Sequence, residues 1–333
     1  MHADILIAGQ GIAGTLLGWE LERAGIPFEI ADAGHASAAS RVAAGIINPI
    51  TGQRIVKSWR VDTLLPLARD TYRALEAELG VSLWHELRVR RLYLDECERR
   101  VFAEKQALGE LADYAGATDG DGFWIEGAAR VDVAALLAAM RARWLASGVL
   151  REERVDFLAA REEHALTIDC TGAALRTGVG QPGAPFGFVR WQHSKGEILT
   201  VAIEGLAPDV VLNRGHWLLP VAPGVACVGA THAPSRRDTT LTAEARAELE
   251  ASVSAMSGRV FAVTGQEAGV RVYVADKKPV VGRHPADARF GVLSGLGAKG
   301  ALFAPALAQQ WASHLTEGTP FDREVDVARV WRG

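Results

Sequence analysis

The chain has 333 residues, a formal net charge of −4 and 49% hydrophobic residues, enough to bury a large core as one big or two interleaved domains. Its near-balanced charge gives no global footprint for nucleic acid. Cys97, Cys170 and Cys227 have no paired spacing, so no disulfide frame or zinc knuckle is expected, and Arg141 and Arg143 break the richest apolar run well short of the roughly 18 residues of a membrane span.

The N-terminus runs into a strand with no basic leader, which with unpaired cysteines reads as a cytoplasmic protein. Residues 4–8 form that apolar strand, residues 9–14 a Gly-x-Gly-x-x-Gly turn, and residues 12–24 a helix that ends at Gly25, with Pro27 blocking its continuation. Such a turn lets backbone approach a pyrophosphate and aims helix N–H groups at its charge. Gly9 serves the tight turn, Gly11 the close approach and Gly14 the packing of helix on sheet, with Ile12 and Ala13 between them. A second strand ends at Asp32, eighteen residues beyond Gly14, where a carboxylate accepts hydrogen bonds from ribose hydroxyls. The turn alone also fits an ordinary α/β unit; strand, helix and acid together point to dinucleotide binding.

Residues 33–40 are small and polar, and residues 41–52 continue Arg-Val-Ala-Ala-Gly-Ile-Ile-Asn-Pro-Ile-Thr-Gly. This suits a loop passing under a ligand, with Ser40, Arg41 and Asn48 as polar contacts and Ala44 and Gly45 as small ones, or else an irregular connection. The N-terminal unit followed by this Ser-Arg-x-Ala-Ala-Gly-x-x-Asn-Pro segment resembles the D-amino-acid oxidase and glycine oxidase family of FAD-dependent oxidoreductases. The resemblance implies an α/β plus antiparallel β fold: a glutathione-reductase-like FAD-binding Rossmann domain interleaved with an antiparallel substrate domain. Residues 1–80, 128–178 and 264–333 are assigned to the former, residues 81–127 and 179–263 to the latter.

Residues 52–60 combine Arg54, Lys57 and Arg60 with Trp59, an anion-accepting wall or a solvated basic stretch. Helices are predicted over residues 62–79, 98–114 and 132–147, a strand with water-facing arginines over 87–94, and a loop over 116–122. An apolar strand from residue 166 leads through Cys170 into Thr171 and Gly172, resembling the family's Ala-Thr-Gly segment beside the adenosine half of the dinucleotide. Cys170, on a strand, is read as core packing. Residues 178–183 repeat the glycine pattern, but Pro182 and Pro185 leave no helix to receive a phosphate.

From residue 189 the pattern turns to short strands, over 195–201, 210–213, 216–221 and 225–231, an antiparallel sheet. The resemblance makes this sheet the floor of the substrate cavity, with Trp191, His193, Trp217 and His232 either facing it or packed elsewhere. No two histidines have metal-ligand spacing. A helix over 242–256 is capped by Thr242 and stopped by Gly258. Residues 269–282 then resemble the family's Gly-x-Arg-x-x-x-x-Asp-x-x-Pro-x-x-Gly signature, which implies Arg271 as a bidentate anchor for a substrate carboxylate and Asp276 as a cofactor contact. A salt-bridged arginine at a domain seam is the other reading of Arg271.

Residues 290–301 give a third glycine pattern, with Gly295, Gly297, Ala298, Lys299 and Gly300 between a strand and a helix to residue 315. Too little chain follows for a second strand and acid, so this helix start is placed at the pyrimidine side of a flavin, where it favours negative charge. Lys299 adds a cation there or faces solvent. The implied activity is oxidation of a C–N bond in an amine or amino acid by hydride transfer to flavin N5, the imine then hydrolysing, with noncovalent FAD. Arg271, Lys299 and Asn48 stand at the reacting end; O2 is one candidate acceptor, and neither membrane nor nucleic acid is an expected partner. Two alternatives stand beside it: a tRNA-modification flavin oxidase resembling the flavin domain of the methylaminomethyl-thiouridine enzyme, and a redox-silent dinucleotide-binding module.

Overall fold

The computed structural model describes residues 4–34, 38–174 and 184–332. In chain order the first half comprises β1 (Ile5–Ala8), α1 (Ile12–Arg23), β2 (Glu29–Ala31), α2 (Ala39–Val42), β3 (Ile46–Ile47), β4 (Ile50–Thr51), β5 (Val56–Lys57), α3 (Val61–Leu79), β6 (Trp84–Leu92), α4 (Glu96–Ala107), β7 (Ala115–Asp119), β8 (Gly122–Val131), α5 (Val133–Ser147), β9 (Leu150–Arg151), α6 (Phe157–Glu163) and β10 (Leu166–Asp169). The second half comprises β11 (Trp191–Ile203), β12 (Val210–Arg214), β13 (His216–Ala222), β14 (Val225–Gly229), β15 (Ala233–Pro234), α7 (Ala243–Ser257), β16 (Phe261–Val274), β17 (Val280–His284), β18 (Asp287–Ser294) and α8 (Gly300–Glu317).

β1 is buried at every position, as an unbroken apolar run is when a parallel strand is covered on both faces. It lies between β10 and β2, Ile7 opposite Ile168 and Ile30, in a six-stranded sheet of order β17-β18-β10-β1-β2-β9. Only β17 runs antiparallel there. The N- and C-terminal segments are therefore joined in one sheet, with α1 and α8 contributing Leu16, Leu17, Leu302 and Trp311 to its core.

The second sheet has ten strands, ordered β15-β11-β14-β13-β12-β6-β8-β3, with β16 on β11 and β7 on β8. It is antiparallel apart from the parallel pair β6 and β12. β16 pairs with β11 from Phe261 opposite Ile203 to Val274 opposite Trp191. Residues 264–274, assigned by sequence to the FAD-binding segments, thus belong to the antiparallel sheet, as does β3 from residues 1–80. Strand periodicity reports burial, not which sheet a strand joins.

Local expectations hold where caps are explicit. Thr242 Oγ1 accepts from Ala245 N–H, and Gly258 closes α7 in the left-handed region. They fail where charge misled. Arg90 and Arg91, on opposite faces of β6, are both buried, paired with Asp119 and Glu98, because partnered guanidinium groups tolerate burial. The loop predicted over 116–122 is largely the β7–β8 hairpin, and the helix over 98–114 runs only from Glu96 to Ala107, capped by Asp95. The glycine pattern at 178–183 lies outside the described residues.

Candidate functional site

A cavity of about 860 Å3 draws its walls from both sheets. At the β1–α1 turn, Gly9 has φ +97°, and a Cβ on Gly14 would lie 2.0 Å from the Gly9 carbonyl oxygen. The helix therefore starts flush against the strand end, as the glycine pattern requires. α1 has no side-chain cap. Its Ile12 N–H donates to Ser40 Oγ at 3.1 Å, and among the described residues the N–H groups of Ala13 and Gly14 have no acceptor. α8 likewise starts without a side-chain cap at Lys299, and Gly300 lies against the Ile12 side chain. Two uncapped helix starts thus converge on one cavity, and each favours negative charge.

Asp32 is nearly buried. Its Oδ2 accepts from Gln10 N–H at 2.8 Å, and its Oδ1 accepts from Gly34 N–H at 3.0 Å and Arg141 at 3.1 Å. Thr171 lines the wall nearby, its N–H and hydroxyl both donating to Asp169 Oδ1. Ser294, 3% exposed, also lines the cavity, and its hydroxyl has no partner among the described residues.

Two cations also line the cavity. The Arg271 guanidinium donates to the Thr231 carbonyl at 2.7 Å and rests over Gly196, where a Cβ would come 2.4 Å from Arg271 Nη2. Lys299 Nζ donates to Thr51 Oγ1 and Ser58 Oγ, each at 3.0 Å. Burial lowers the pKa of both, and no carboxylate pairs with either among the described residues. Asn48 Oδ1 accepts from Ile50 N–H at 3.1 Å, which leaves its amide nitrogen for the cavity.

Of the residues singled out by sequence, Gly9, Gly11, Ile12, Ala13, Asp32 and Ser40 line the cavity, as do Ala44, Gly45, Asn48, Thr171 and Gly172. Arg271, Gly295, Gly297, Ala298, Lys299 and Gly300 join them. Gly14 takes the packing role expected of it, against the Gly9 carbonyl, and does not itself line the cavity. Two expected contacts stand off the wall. Arg41 is exposed on α2, away from the wall. Asp276 sits on an exposed turn, facing Arg329 and Lys278 N–H.

Of the four candidate wall residues, only Trp217 reaches the cavity. Trp191 donates to the Phe186 carbonyl, His232 Nδ1 meets Ser194 Oγ at 2.8 Å, and His193 is buried. The basic stretch at 52–60 forms no anion wall: Lys57 pairs with Asp113, and Arg60 with Asp322. Sequence reasoning missed Thr51, Ser58, Ile198, Val211 and Asn213, all on the wall. The strand over 210–213 was visible, but not which of its faces served the cavity.

The arrangement fits an elongated ligand with a negative centre: two uncapped helix starts, small residues along the wall, and an orphaned Ser294 hydroxyl. FAD meets that description. Among the described residues no three His, Cys, Asp or Glu side chains could hold a metal, and no helix is long and apolar enough to cross a membrane.

Comparison with known proteins agrees. Residues 4–314 match the family model described as FAD dependent oxidoreductase. The chain is 32% identical over 337 residues to the tRNA 5-methylaminomethyl-2-thiouridine biosynthesis bifunctional protein of Maricaulis maris, covering 96% of this chain and 53% of that protein. It therefore spans about half the length of that relative. It is 26% identical over 362 residues to the glycine oxidase of Pseudomonas putida, covering 96% of each. Among solved structures it resembles glycine oxidase from Geobacillus kaustophilus, with a TM-score of 0.76 at 21% identity over 97% of each chain.

Proposed function

The chain belongs to the family of FAD-dependent oxidoreductases, and from that premise we propose that it oxidises the carbon–nitrogen bond of an amine that carries a carboxylate. The α1 start and Asp32 would hold the pyrophosphate and a ribose of FAD, and Lys299, Asn48 and the α8 start would flank its ring. When bound, FAD supplies the hydride acceptor; the substrate becomes an imine, which water hydrolyses. This chemistry asks for a neutral amine and oriented anchors more than for a dedicated acid or base.

The observation that carries the reading is Arg271. It is held from one side by the Thr231 carbonyl, faces the cavity and, among the described residues, pairs with no carboxylate. A desolvated guanidinium in that state is suited to bind a substrate carboxylate through two parallel hydrogen bonds. Lys299, with its pKa lowered by burial, supplies a second cation to the same space.

Anaerobic titration of the FAD-loaded protein with paired amines tests this. Amines bearing a carboxylate should bleach the flavin at far lower concentration than matched amines without one; equal potency would remove Arg271 from the role. Arg271→Leu should raise KM for the carboxylate substrates about 100-fold while FAD content stays near that of wild type. Oxygen uptake in the same assay separates oxidase from dehydrogenase.

A second reading, favoured by the 32% identity to the tRNA biosynthesis protein, is that the amine belongs to a modified tRNA base. Bleaching by tRNA substrates and by no free amine would establish it over the first.

A further inference from the structure

The floor of the cavity is the face of the antiparallel sheet, and its polar groups are spread unevenly. The Arg271 guanidinium lies over Gly196 on β11. Trp217 on β13 and Asn213 on β12 form a cross-strand pair, and both line the same cavity. Gly229 of β14, between Trp217 and Ile198, has no side chain, and a Cβ there would meet the indole at 2.9 Å. The six-membered part of the indole is therefore packed over Gly229. Neither the Asn213 carboxamide nor the Trp217 indole N–H has a hydrogen-bond partner among the described residues. Val89, Ile198 and Val211 line the same cavity.

Polar groups on an apolar wall with no protein partner are what orients a ligand in a pocket. β13 and β12 lie two and three strands from β11, roughly 10 and 14 Å across the sheet at ~4.8 Å per strand. A ligand anchored by its carboxylate on Arg271 and touching this pair must extend well past an amino acid of glycine's size. Indole rings favour stacking on planar groups, and a carboxamide offers one donor and one acceptor side by side.

We infer that Trp217 and Asn213 select amino-acid substrates whose nitrogen or side chain carries a planar group with an amide-like edge, the plane facing the indole and the edge pairing with Asn213. This rests on the reading that the cavity takes FAD and a carboxylate-bearing amine, and names which such amines are preferred.

The test uses the FAD-loaded protein with N-benzylglycine and N-(4-carbamoylbenzyl)glycine, which differ only in the amide. Half-saturation is read from anaerobic bleaching or, if neither ligand bleaches the protein, from perturbation of the bound-flavin spectrum. Failure to bleach then counts against the oxidation itself while the binding comparison still decides the present inference. Wild type should bind the carbamoyl ligand about tenfold more tightly, the size expected of one additional well-formed hydrogen bond. Asn213→Leu should bring that ratio close to one, and Trp217→Leu should weaken both ligands together. FAD affinity, followed by flavin fluorescence, should move less than twofold in either variant. Equal binding by wild type, a ratio unchanged in Asn213→Leu, or a tenfold loss of FAD affinity in that variant would each overturn the inference, the last by assigning Asn213 to the cofactor.

Discussion

Asp169 ends β10 with 2% of its surface exposed, and its Oδ1 accepts both donors of Thr171, at 2.9 and 2.7 Å. Burial outweighs those bonds and pushes its carboxyl from 3.8 up to about 6. The folded state therefore holds this proton more tightly than the unfolded chain, and stability falls as pH rises from 3.8 to about 6. Above that window the cost is complete, on the order of 3 kcal/mol. Asp169→Asn keeps an acceptor for Thr171 and removes the charge. Its unfolding free energy in denaturant should exceed that of wild type by about 1–3 kcal/mol at pH 7.5, with the two converging below about pH 4. Identical stability at pH 7.5 would mean that the ionised carboxylate costs nothing.

Residues such as Asp169 and Asn213 escape a sequence reading because their importance lies in what fails to surround them. Arg271 and Lys299 were legible because a motif carried them. Asp276, from the same motif as Arg271, turned outward to Arg329, since a spacing pattern does not say which side of a turn a carboxylate takes. His193 and His232 were equally ambiguous by type, and neighbouring strands took both away from the cavity.

At the level of elements, β11 is the floor on which Arg271 is set. Gly196 is indispensable there, since a Cβ would come 2.4 Å from Nη2 and 3.0 Å from Cζ of Arg271. Gly196→Ala should push the guanidinium off its seat against the Thr231 carbonyl and raise KM for carboxylate amines roughly ten- to hundredfold, as lost positioning of one anchor does. The flavin spectrum and FAD content should stay unchanged. A wild-type KM in steady-state assays would show that the guanidinium accommodates the methyl group. The helices themselves were largely legible: α3 stops at Gly80, α5 is capped by Asp132, and α7 runs between Thr242 and Gly258. Those signals are chemical and local. The β7–β8 hairpin was not, because its glycines and aspartates read as loop while its pairing is set by β6.

For the whole molecule, the cavity wall is assembled from positions between Gly9 and Leu302, so a bound cofactor bridges both sheets and both halves of the chain. FAD should then act as a stabilising ligand of the native state, adding about 2.7 kcal/mol at a free concentration 100-fold above Kd. Thermal unfolding followed with and without added FAD checks this. A Tm that does not move with FAD concentration would show that cofactor and fold are uncoupled. The interleaving was legible because the nucleotide-like motifs stand at both ends of the sequence with β-rich segments between. The seam was not, because β16 crosses the expected boundary on hydrogen bonds to β11, and partners so distant in the chain leave no local mark.

The order of the first sheet also sets a timetable for synthesis. β1 is made well before its neighbour β10, which begins at Leu166, and β18, which completes that side, ends at Ser294. At about 5–20 residues per second, β1 waits roughly 15–60 s for that edge to be finished. Until then the nascent chain holds a half-built sheet with Ile5 and Ile7 only partly covered, a surface that chaperones recognise. Flavin capture accordingly waits for Lys299 and the start of α8, which are made after every strand of that sheet.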